Sequence, residues 1–137
     1  MSVPAPLRNK TPLNAQVKVD EMVRHTIHIM ANEKVFDPTY HVFRDHILDT
    51  ALNISKDVWE ANEVRVRKNP VRWAKRSDLQ QKALGGFDRL YTLMRIAKEL
   101  YHLRSKKYSA WVYIVSEAEE ETLKWVKGDN KRYSSLS

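Results

Sequence analysis

The sequence predicts an all-α protein that folds as an antiparallel up-down four-helix bundle. Apolar residues recur at steps of three or four over long stretches, which places them on one face of an α-helix. Only three Gly and five Pro interrupt the 137 residues, and the breaks between the periodic stretches are short. A domain of this length buries roughly two-thirds of the surface that its unfolded chain exposes, so we expect it to fold without a metal or a disulfide.

The chain begins with a segment that lacks any periodic pattern. Residues 1–13 hold three of the five prolines, which predicts a flexible N-terminal arm. The bundle itself is predicted over residues 14–128, with Asn14 as the N-cap of the first helix. This helix is expected to end near Asn32, and its apolar face consists of Val19, Met22, Val23, Ile27 and Met30.

The second helix is predicted to begin at Asp37 and Pro38. An aspartate side chain can cap the free N–H groups of a helix, and proline supplies the φ angle that the first helical position requires. The helix is expected to run to about Glu63 or Val66. Its apolar stripe consists of Tyr40, Phe43, Ile47, Ala51, Ile54 and Val58.

Residues 64–77 form the most basic segment, with six Lys or Arg residues, one Trp, one Pro and no acidic residue. Asn69-Pro70 predicts a break in helical structure here. The segment has two interpretations, a solvated loop or a loop that binds phosphates while Trp73 stacks on a base. We favour the second, because the chain carries a net charge of +7. The predicted nucleic-acid-binding residues are Arg65, Arg67, Lys68, Arg72, Trp73, Lys75 and Arg76.

The third helix is predicted to have Ser77 as its N-cap and Asp78 in its first turn, and its apolar stripe extends over residues 79–104. Gly85-Gly86 lies inside this helix, where each glycine costs about 1 kcal/mol relative to Ala. Such a pair either lets another backbone approach closely or marks a local bend. We favour the bend.

The fourth helix is predicted to follow a tight connection at Ser105-Lys106-Lys107, so the last two helices should be antiparallel neighbours. We expect it to begin at Tyr108 and to end before Gly128, because glycine commonly follows the end of a helix. Residues 129–137 are polar and are predicted to form a flexible tail. The aromatic stripe of this helix is interpreted as core or interface, not as a base-stacking platform, and consists of Tyr108, Trp111 and Trp125.

The sequence contains no motif that supports catalysis. It has no cysteine, which excludes disulfides, Cys-ligated zinc and thiol chemistry. Gly-rich phosphate loops and the motifs of serine hydrolases and zinc proteases are absent. Glu99 and His102 form the one Glu-x-x-His pair, whereas a di-iron bundle needs two. We therefore expect a protein that is not an enzyme and has no catalytic residues, metal ligands or cofactors.

Charge and hydropathy indicate the compartment and the class of partner. The start of the chain lacks the apolar core of a signal peptide, and no apolar run is long enough to span a membrane, which predicts a soluble, cytoplasmic protein. The 24 Lys and Arg against 17 Asp and Glu point to a polyanionic partner. Four tryptophans in a small bundle favour self-association. The acidic cluster at residues 117–121 is most simply a solvated helix face, and in an oligomer it could instead meet a basic face of a neighbouring subunit.

Short motifs follow one another along the chain: Arg-apolar-Ala-x-x-Leu, then Lys-Lys-Tyr, then a Trp, then a closing Trp-apolar-Lys. The residues that carry them are Arg95, Ile96, Ala97, Leu100, Lys106, Lys107, Tyr108, Trp111, Trp125, Val126 and Lys127. Two further segments belong to this pattern: Lys18–Val23 in the first predicted helix, and Asp78-Leu79-Gln80 at the start of the third. With this pattern, residues 18–127 resemble the accessory variability determinant proteins of diversity-generating retroelements, which share a bundle type with the S23-like four-helix-bundle proteins.

The resemblance implies a basic, pentameric accessory protein without chemistry of its own. Such a protein binds a reverse transcriptase and nucleic acid, either the template RNA or its cDNA, and supports mutagenic reverse transcription. The residues alone leave two alternatives open. One is a generic RNA-binding or ribosome-associated S23-like bundle, and the other is a structural scaffold whose charge keeps it soluble.

Overall fold

The computed structural model describes residues 13–32 and 37–137, so the predicted N-terminal arm lies outside the described residues except for Leu13. Within these two ranges the chain is helical and contains no strand, which confirms the predicted all-α bundle. Short 3-10 turns span Pro38–Tyr40 and Ser134–Leu136. The four long helices are α1 (Asn14–Met30), α2 (His41–Glu63), α3 (Pro70–Leu100) and α4 (Ser105–Tyr133).

Contacts of α2 show that it is antiparallel to both of its neighbours. Asp20, early in α1, accepts hydrogen bonds from Ser55 and Trp59, late in α2, at 3.0 and 3.1 Å. The start of α2 lies at the end of α3, where the Tyr101 hydroxyl donates to the Tyr40 carbonyl at 3.1 Å. The chain therefore reverses direction at each of these connections.

Helix α4 is antiparallel to α1 and α3 in the same way. Lys18 of α1 pairs with Glu117 at 3.5 Å, and Thr26, further along α1, contacts Trp111, nearer the start of α4. Each helix thus packs on the helix before and the helix after it, and α4 closes the ring onto α1. We call the end with residues 64–69 the basic end, and the end with the α3–α4 turn the turn end.

The predicted apolar stripes form most of the core. Two of their members lie outside it, because Ile27 is 45% exposed and Tyr40 is 40% exposed. Thr26 takes the buried position on α1, since it follows Met22 and precedes Met30 by four residues each. Its hydroxyl accepts a hydrogen bond from the indole nitrogen of Trp111 at 3.1 Å, so a polar group fits there without an unsatisfied donor.

The glycine pair of α3 has a packing role. A Cβ atom added to Gly86 would lie 2.6 Å from Cγ1 of the buried Ile54 on α2, whereas one added to Gly85 would lie 3.5 Å from the flexible end of Arg89. Gly86 therefore lets α2 approach α3 closely, and α3 continues as one helix to Leu100. This supports the close-approach interpretation of the pair over the favoured bend.

The predicted start of α3 is wrong by two turns. The helix begins at Pro70, and the Asn69 side chain caps it by accepting from the N–H groups of Val71 and Arg72 at 2.9 and 3.3 Å. Asn followed by Pro is a helix start as well as a break, because Asn caps and Pro occupies the first helical position. Ser77, the predicted N-cap, lies inside the helix.

The first helix also starts one residue earlier than predicted. Leu13 is the N-cap and Asn14 is the first helical residue. The side-chain oxygen of Gln16 accepts a hydrogen bond from the Leu13 N–H at 2.8 Å. A side chain three residues into the helix thus reaches back to the capping residue, which is one half of a capping box.

The connection between α3 and α4 lies at residues 101–104, and the predicted connecting residues Ser105-Lys106-Lys107 begin α4 instead. His102 has a positive φ of 52°, and the Leu103 N–H donates to the Lys98 carbonyl at 3.1 Å. A left-handed residue followed by this hydrogen bond is the Schellman ending of a helix. Histidine occupies the position where glycine is usual, so the sequence lacks the glycine that would have indicated this helix end.

Helix α4 continues beyond its predicted end at Gly128 to Tyr133. The first residues of the predicted flexible tail are therefore helical, and Asp129 is only 3% exposed. Glycine inside a helix costs about 1 kcal/mol relative to Ala. The buried contacts of Asp129 offset that cost.

Candidate nucleic-acid interface

The loop between α2 and α3 and the first turns of α3 bring most of the predicted cations together. A shallow groove of about 660 Å³ lies at the basic end. We call it the basic groove; its charged lining residues are Arg65, Arg67, Arg72, Lys75, Glu60 and Glu63. Lys68 follows Arg67 in the same loop and is exposed. Cations thus outnumber the carboxylates around this groove.

The backbone of this loop is a tight turn with an unusual sequence. The Asn69 N–H donates to the Val66 carbonyl at 2.9 Å, which makes Arg67 and Lys68 the two central residues of the turn. Both have positive φ angles, 46° and 58°, as in a type I′ turn. Asn and Gly are the usual residues at such positions, because a Cβ makes the left-handed conformation costly.

Val66 anchors this turn in the protein. Its side chain is 3% exposed, whereas Arg65, Arg67 and Lys68 on either side of it are exposed. The buried valine and the reversal of the chain hold three cationic side chains on a short, tightly turned segment. Arg72 and Lys75 project from the first turns of α3 next to it and are also exposed.

Trp73 is not available for base stacking, so that part of the predicted site is wrong. The side chain is 5% exposed, and its ring packs on Tyr133 with the two ring centres 5.0 Å apart. The indole nitrogen donates to the hydroxyl of Ser137 at 3.2 Å. Since α3 begins at Pro70, Trp73 lies in its first turn and faces the end of α4.

Arg76 is also removed from the predicted phosphate contacts, because it is 9% exposed and already paired. Its Nε donates to Oδ2 of Asp129 at 2.7 Å, and its Nη1 donates to the Val64 carbonyl at 3.1 Å. The guanidinium carbon also lies 5.4 Å from the ring centre of Trp125. Arg76 therefore connects α4 to the start of the basic loop and positions that loop.

Arg76 belongs to a small buried polar network. Asp129 Oδ2 accepts a second hydrogen bond from the Gln80 side chain at 2.7 Å. Among the described residues, two buried side-chain atoms near this network have no hydrogen-bond partner, Oε1 of Gln80 and Nε1 of Trp125. The pairing of Arg76 with Asp129 spans 53 residues, so no local pattern could have revealed it.

The end of α4 adds cations that the sequence analysis did not include in the site. Lys127, Lys131 and Arg132 are exposed and lie at the basic end, where Tyr133 contacts Trp73. These basic residues themselves indicated where α4 ends, because Lys and Arg are common in the last turn of a helix, where the helix dipole is negative. The expectation of a flexible tail concealed this signal.

The described part of the chain shows no constellation suited to metal chemistry. No group of three or more His, Asp or Glu side chains lies close enough to hold a metal ion within these residues. Glu99 and His102 are both exposed, and His102 lies beyond the end of α3. Burial raises the pKa of Glu119, which accepts a hydrogen bond from Tyr91 at 3.3 Å, but this pair lies away from the basic groove.

No helix among the described residues is both long and apolar enough to cross a membrane. Comparisons of the chain with models of protein families, with curated proteins and with solved structures give no match. The described residues form a four-helix bundle with a basic groove at one end. The groove and the sequence are therefore the basis for a proposal about function.

Proposed function

We propose that the protein is a non-catalytic accessory protein that binds the phosphate backbone of a nucleic acid in the basic groove. One observation carries this proposal: five exposed cations, Arg65, Arg67, Lys68, Arg72 and Lys75, surround a single turn. Phosphate contacts by Lys and Arg supply most of the sequence-independent affinity for nucleic acids. The groove offers no exposed aromatic ring among these residues, so backbone contacts without base stacking are expected.

The conformation of the turn supports the same function. Left-handed backbone at a residue other than Gly or Asn costs roughly 1–2 kcal/mol. The protein has Arg67 and Lys68 at two consecutive positions of this kind. Strained backbone concentrates at functional sites, and here it lies among five exposed cations.

The buried network keeps this surface in one arrangement. Arg76 holds the Val64 carbonyl at the start of the loop, and Asn69 caps α3 at its end. Both ends of the loop are therefore fixed to the bundle. A preorganised cationic loop loses little conformational entropy when a nucleic acid binds.

The wider role that we propose rests on the resemblance to the accessory variability determinant proteins. In this proposal the protein associates with a reverse transcriptase and its template RNA or cDNA, and it supports mutagenic reverse transcription of a diversity-generating retroelement. The protein would act as a homo-oligomer, a pentamer by resemblance. Exposed apolar residues on the outer face of α4 support self-association, since Tyr113 is 64% and Leu123 is 48% exposed.

The groove is tested by the salt dependence of RNA binding. Binding of a labelled single-stranded RNA is measured by fluorescence anisotropy for the parent protein and for Arg65→Ala/Arg67→Ala/Arg72→Ala/Lys75→Ala. Losing four phosphate contacts should reduce the slope of log K against log salt by about 3. Circular dichroism should show unchanged helicity, because all four side chains are exposed.

The matched control removes the same number of exposed cations away from the groove, with Arg24→Ala/Lys82→Ala/Arg95→Ala/Lys106→Ala. This variant should keep most of the slope of the parent. If both variants lowered the slope equally, binding would depend on net charge alone and the basic groove would not be the site. Absence of RNA binding in the parent would favour the scaffold alternative.

The partner is tested by affinity purification from the native host, with and without RNase, followed by mass spectrometry. A reverse transcriptase that stays bound after RNase treatment would support the accessory role. RNA-binding proteins that RNase removes, without a reverse transcriptase, would favour the generic RNA-binding bundle. Light scattering of the purified protein would give the oligomeric state.

A further inference from the structure

A cavity of about 470 Å³ lies between α1 and α4 at the turn end. Its walls are apolar and include Ile29, Leu103, Ala110 and Trp111. Trp111 is fully buried and held by its hydrogen bond to Thr26, so it forms a fixed wall. Pockets of this volume with predominantly apolar walls are typical of sites for small molecules.

The rim of the cavity holds one lysine and two imidazoles. His25 and His28 lie one turn apart on α1, and Lys107 lies in the first turn of α4. The described residues that line the cavity include no Asp or Glu. The first turn of α4 also has no acidic residue and no side-chain cap, so its free N–H groups add positive potential near Lys107.

We propose that this cavity binds a small amphipathic anion, with an apolar body against Trp111, Ile29 and Leu103 and a carboxylate or phosphate head at the rim. Apolar walls favour the body, because its burial removes apolar surface from water. The rim favours an anionic head, because Lys107 supplies positive charge and the imidazoles of His25 and His28 offer N–H donors at the same mouth.

The first twelve residues of the chain are a poor occupant of the cavity. Residues 1–12 contain Arg8 and Lys10 and no acidic residue, so this segment carries the same sign of charge as the rim. The site also lies at the opposite end of the bundle from the basic groove. The proposal is therefore independent of nucleic-acid binding, and a small molecule is the occupant whose size and charge fit the cavity.

Decanoate is the probe, with decyltrimethylammonium as a ligand of equal chain length and opposite charge. Isothermal titration calorimetry should show one decanoate site per protomer and at least about tenfold weaker binding of the cation. In two-dimensional NMR spectra decanoate should shift the indole N–H signal of Trp111 more than that of Trp59, which lies on the α1–α2 surface. Inorganic phosphate alone should bind far more weakly, since it lacks the apolar body.

Two variants change the cavity without removing a buried side chain. Ala110→Leu fills the apolar space from an exposed helix position and should weaken decanoate binding by about tenfold or more. Lys107→Glu should weaken decanoate binding and strengthen binding of the cationic probe. Lys106→Glu is the matched control, because Lys106 is exposed on the same turn but does not line the cavity, and it should change the affinity by less than about threefold.

Several outcomes would overturn the proposal. Equal affinity for decanoate and the cationic probe would show that the rim does not select charge. Unchanged decanoate affinity in Ala110→Leu, with the melting temperature of the parent, would place the ligand elsewhere. Equal changes in decanoate affinity for Lys107→Glu and Lys106→Glu would show that the net charge of the protein, and not the rim of the cavity, selects the anion.

Discussion

The basic end and the turn end of the bundle are closed by different interactions. At the basic end Arg76, Gln80 and Asp129 form a buried polar network between α3 and α4. At the turn end the ring of Tyr101 packs on Tyr40 and Phe43, with ring centres 5.8 and 6.2 Å apart. The basic end therefore adds a buried charged pair to the ring contact of Trp73 with Tyr133, whereas the turn end is closed mainly by aromatic packing and by the hydrogen bond from Tyr101 to the Tyr40 carbonyl.

The difference explains which end fixes the position of the functional loop. A buried charged pair tolerates few alternative geometries, because each charge loses its hydration and has to be compensated. Aromatic packing tolerates shifts more easily, since volume and contact area decide its energy. The loop with the strained turn is attached to the end whose geometry is more strictly determined.

Removing one member of the buried pair should have the largest effect. Asp129→Ala leaves the buried Arg76 without its carboxylate partner and removes the acceptor of Gln80, so we expect a loss of about 3–5 kcal/mol in the free energy of unfolding. Urea denaturation followed by circular dichroism measures this loss. A triple variant, Arg76→Met/Gln80→Leu/Asp129→Leu, should recover a large part of it, because apolar residues replace the pair together with the amide that shares its carboxylate.

The control for this prediction is Glu117→Ala, which breaks the partly exposed pair with Lys18. Its stability should stay close to that of the parent, since water and salt screen this pair. If Asp129→Ala were as stable as Glu117→Ala, the buried network would not determine the basic end. The contrast between the two ends would then be lost.

Two buried indole N–H groups, those of Trp111 and Trp125, allow a second comparison. Trp111→Phe near the turn end removes the donor that binds the buried Thr26 hydroxyl and should cost roughly 1–3 kcal/mol. Trp125→Phe at the basic end removes an N–H that has no partner among the described residues, so its cost should be within about 1 kcal/mol of zero. Denaturation of both variants tests the comparison, and equal losses would contradict it.

Residues with a left-handed backbone occur at both ends of the bundle, Lys68 at the basic end and His102 at the turn end. We expect the backbone of both to be strained, and only Lys68 to contribute to RNA binding. His102→Gly and Lys68→Gly should each stabilise the protein by roughly 1 kcal/mol, because glycine adopts positive φ without a steric cost. Lys68→Gly should also weaken RNA binding, whereas His102→Gly should leave RNA binding unchanged. Thermal melts and RNA titrations of the two variants separate strain from function.

The smallest expected effect is a pH dependence at the turn end. Burial, and secondly the charge of His28, lower the pKa of His25 below its ordinary value of 6.5. As the pH falls through that value, the unfolded chain binds the proton more readily than the folded protein, so stability decreases with falling pH. His25→Gln should lose less stability than the parent between about pH 7.5 and 5.5. An identical loss in both proteins would contradict a role for His25.

Much of the fold could be predicted from the sequence because apolar periodicity is a local signal. It identified four helices and most of their buried faces. The errors lie where local signals compete, as at Asn69-Pro70, which both breaks one helix and starts the next. The end of α4 depends on the contact between Arg76 and Asp129, and no local rule describes residues that are 53 positions apart.

The sequence predicted which residues lie near the candidate site, but not which of their side chains are exposed. The basic segment stood out, and five of its six cations are exposed. Which of its side chains are buried depends on where α3 begins, so Trp73 and Arg76 were assigned to the surface when they belong to the interior. The turn at Arg67 and Lys68 lacks the Asn-Gly signature that would have indicated it.

The interior glycine of α4 has a consequence for the motions of the protein. Gly128 has no atom within 4 Å of the position where a Cβ would lie, so packing at this residue does little to hold the helix. The turn that follows it is kept helical by the contacts of Asp129, and the same network holds the Val64 carbonyl through Arg76. We therefore expect the last turn of α4 and the basic loop to open together, as one cooperative unit with a shared rate of amide hydrogen exchange.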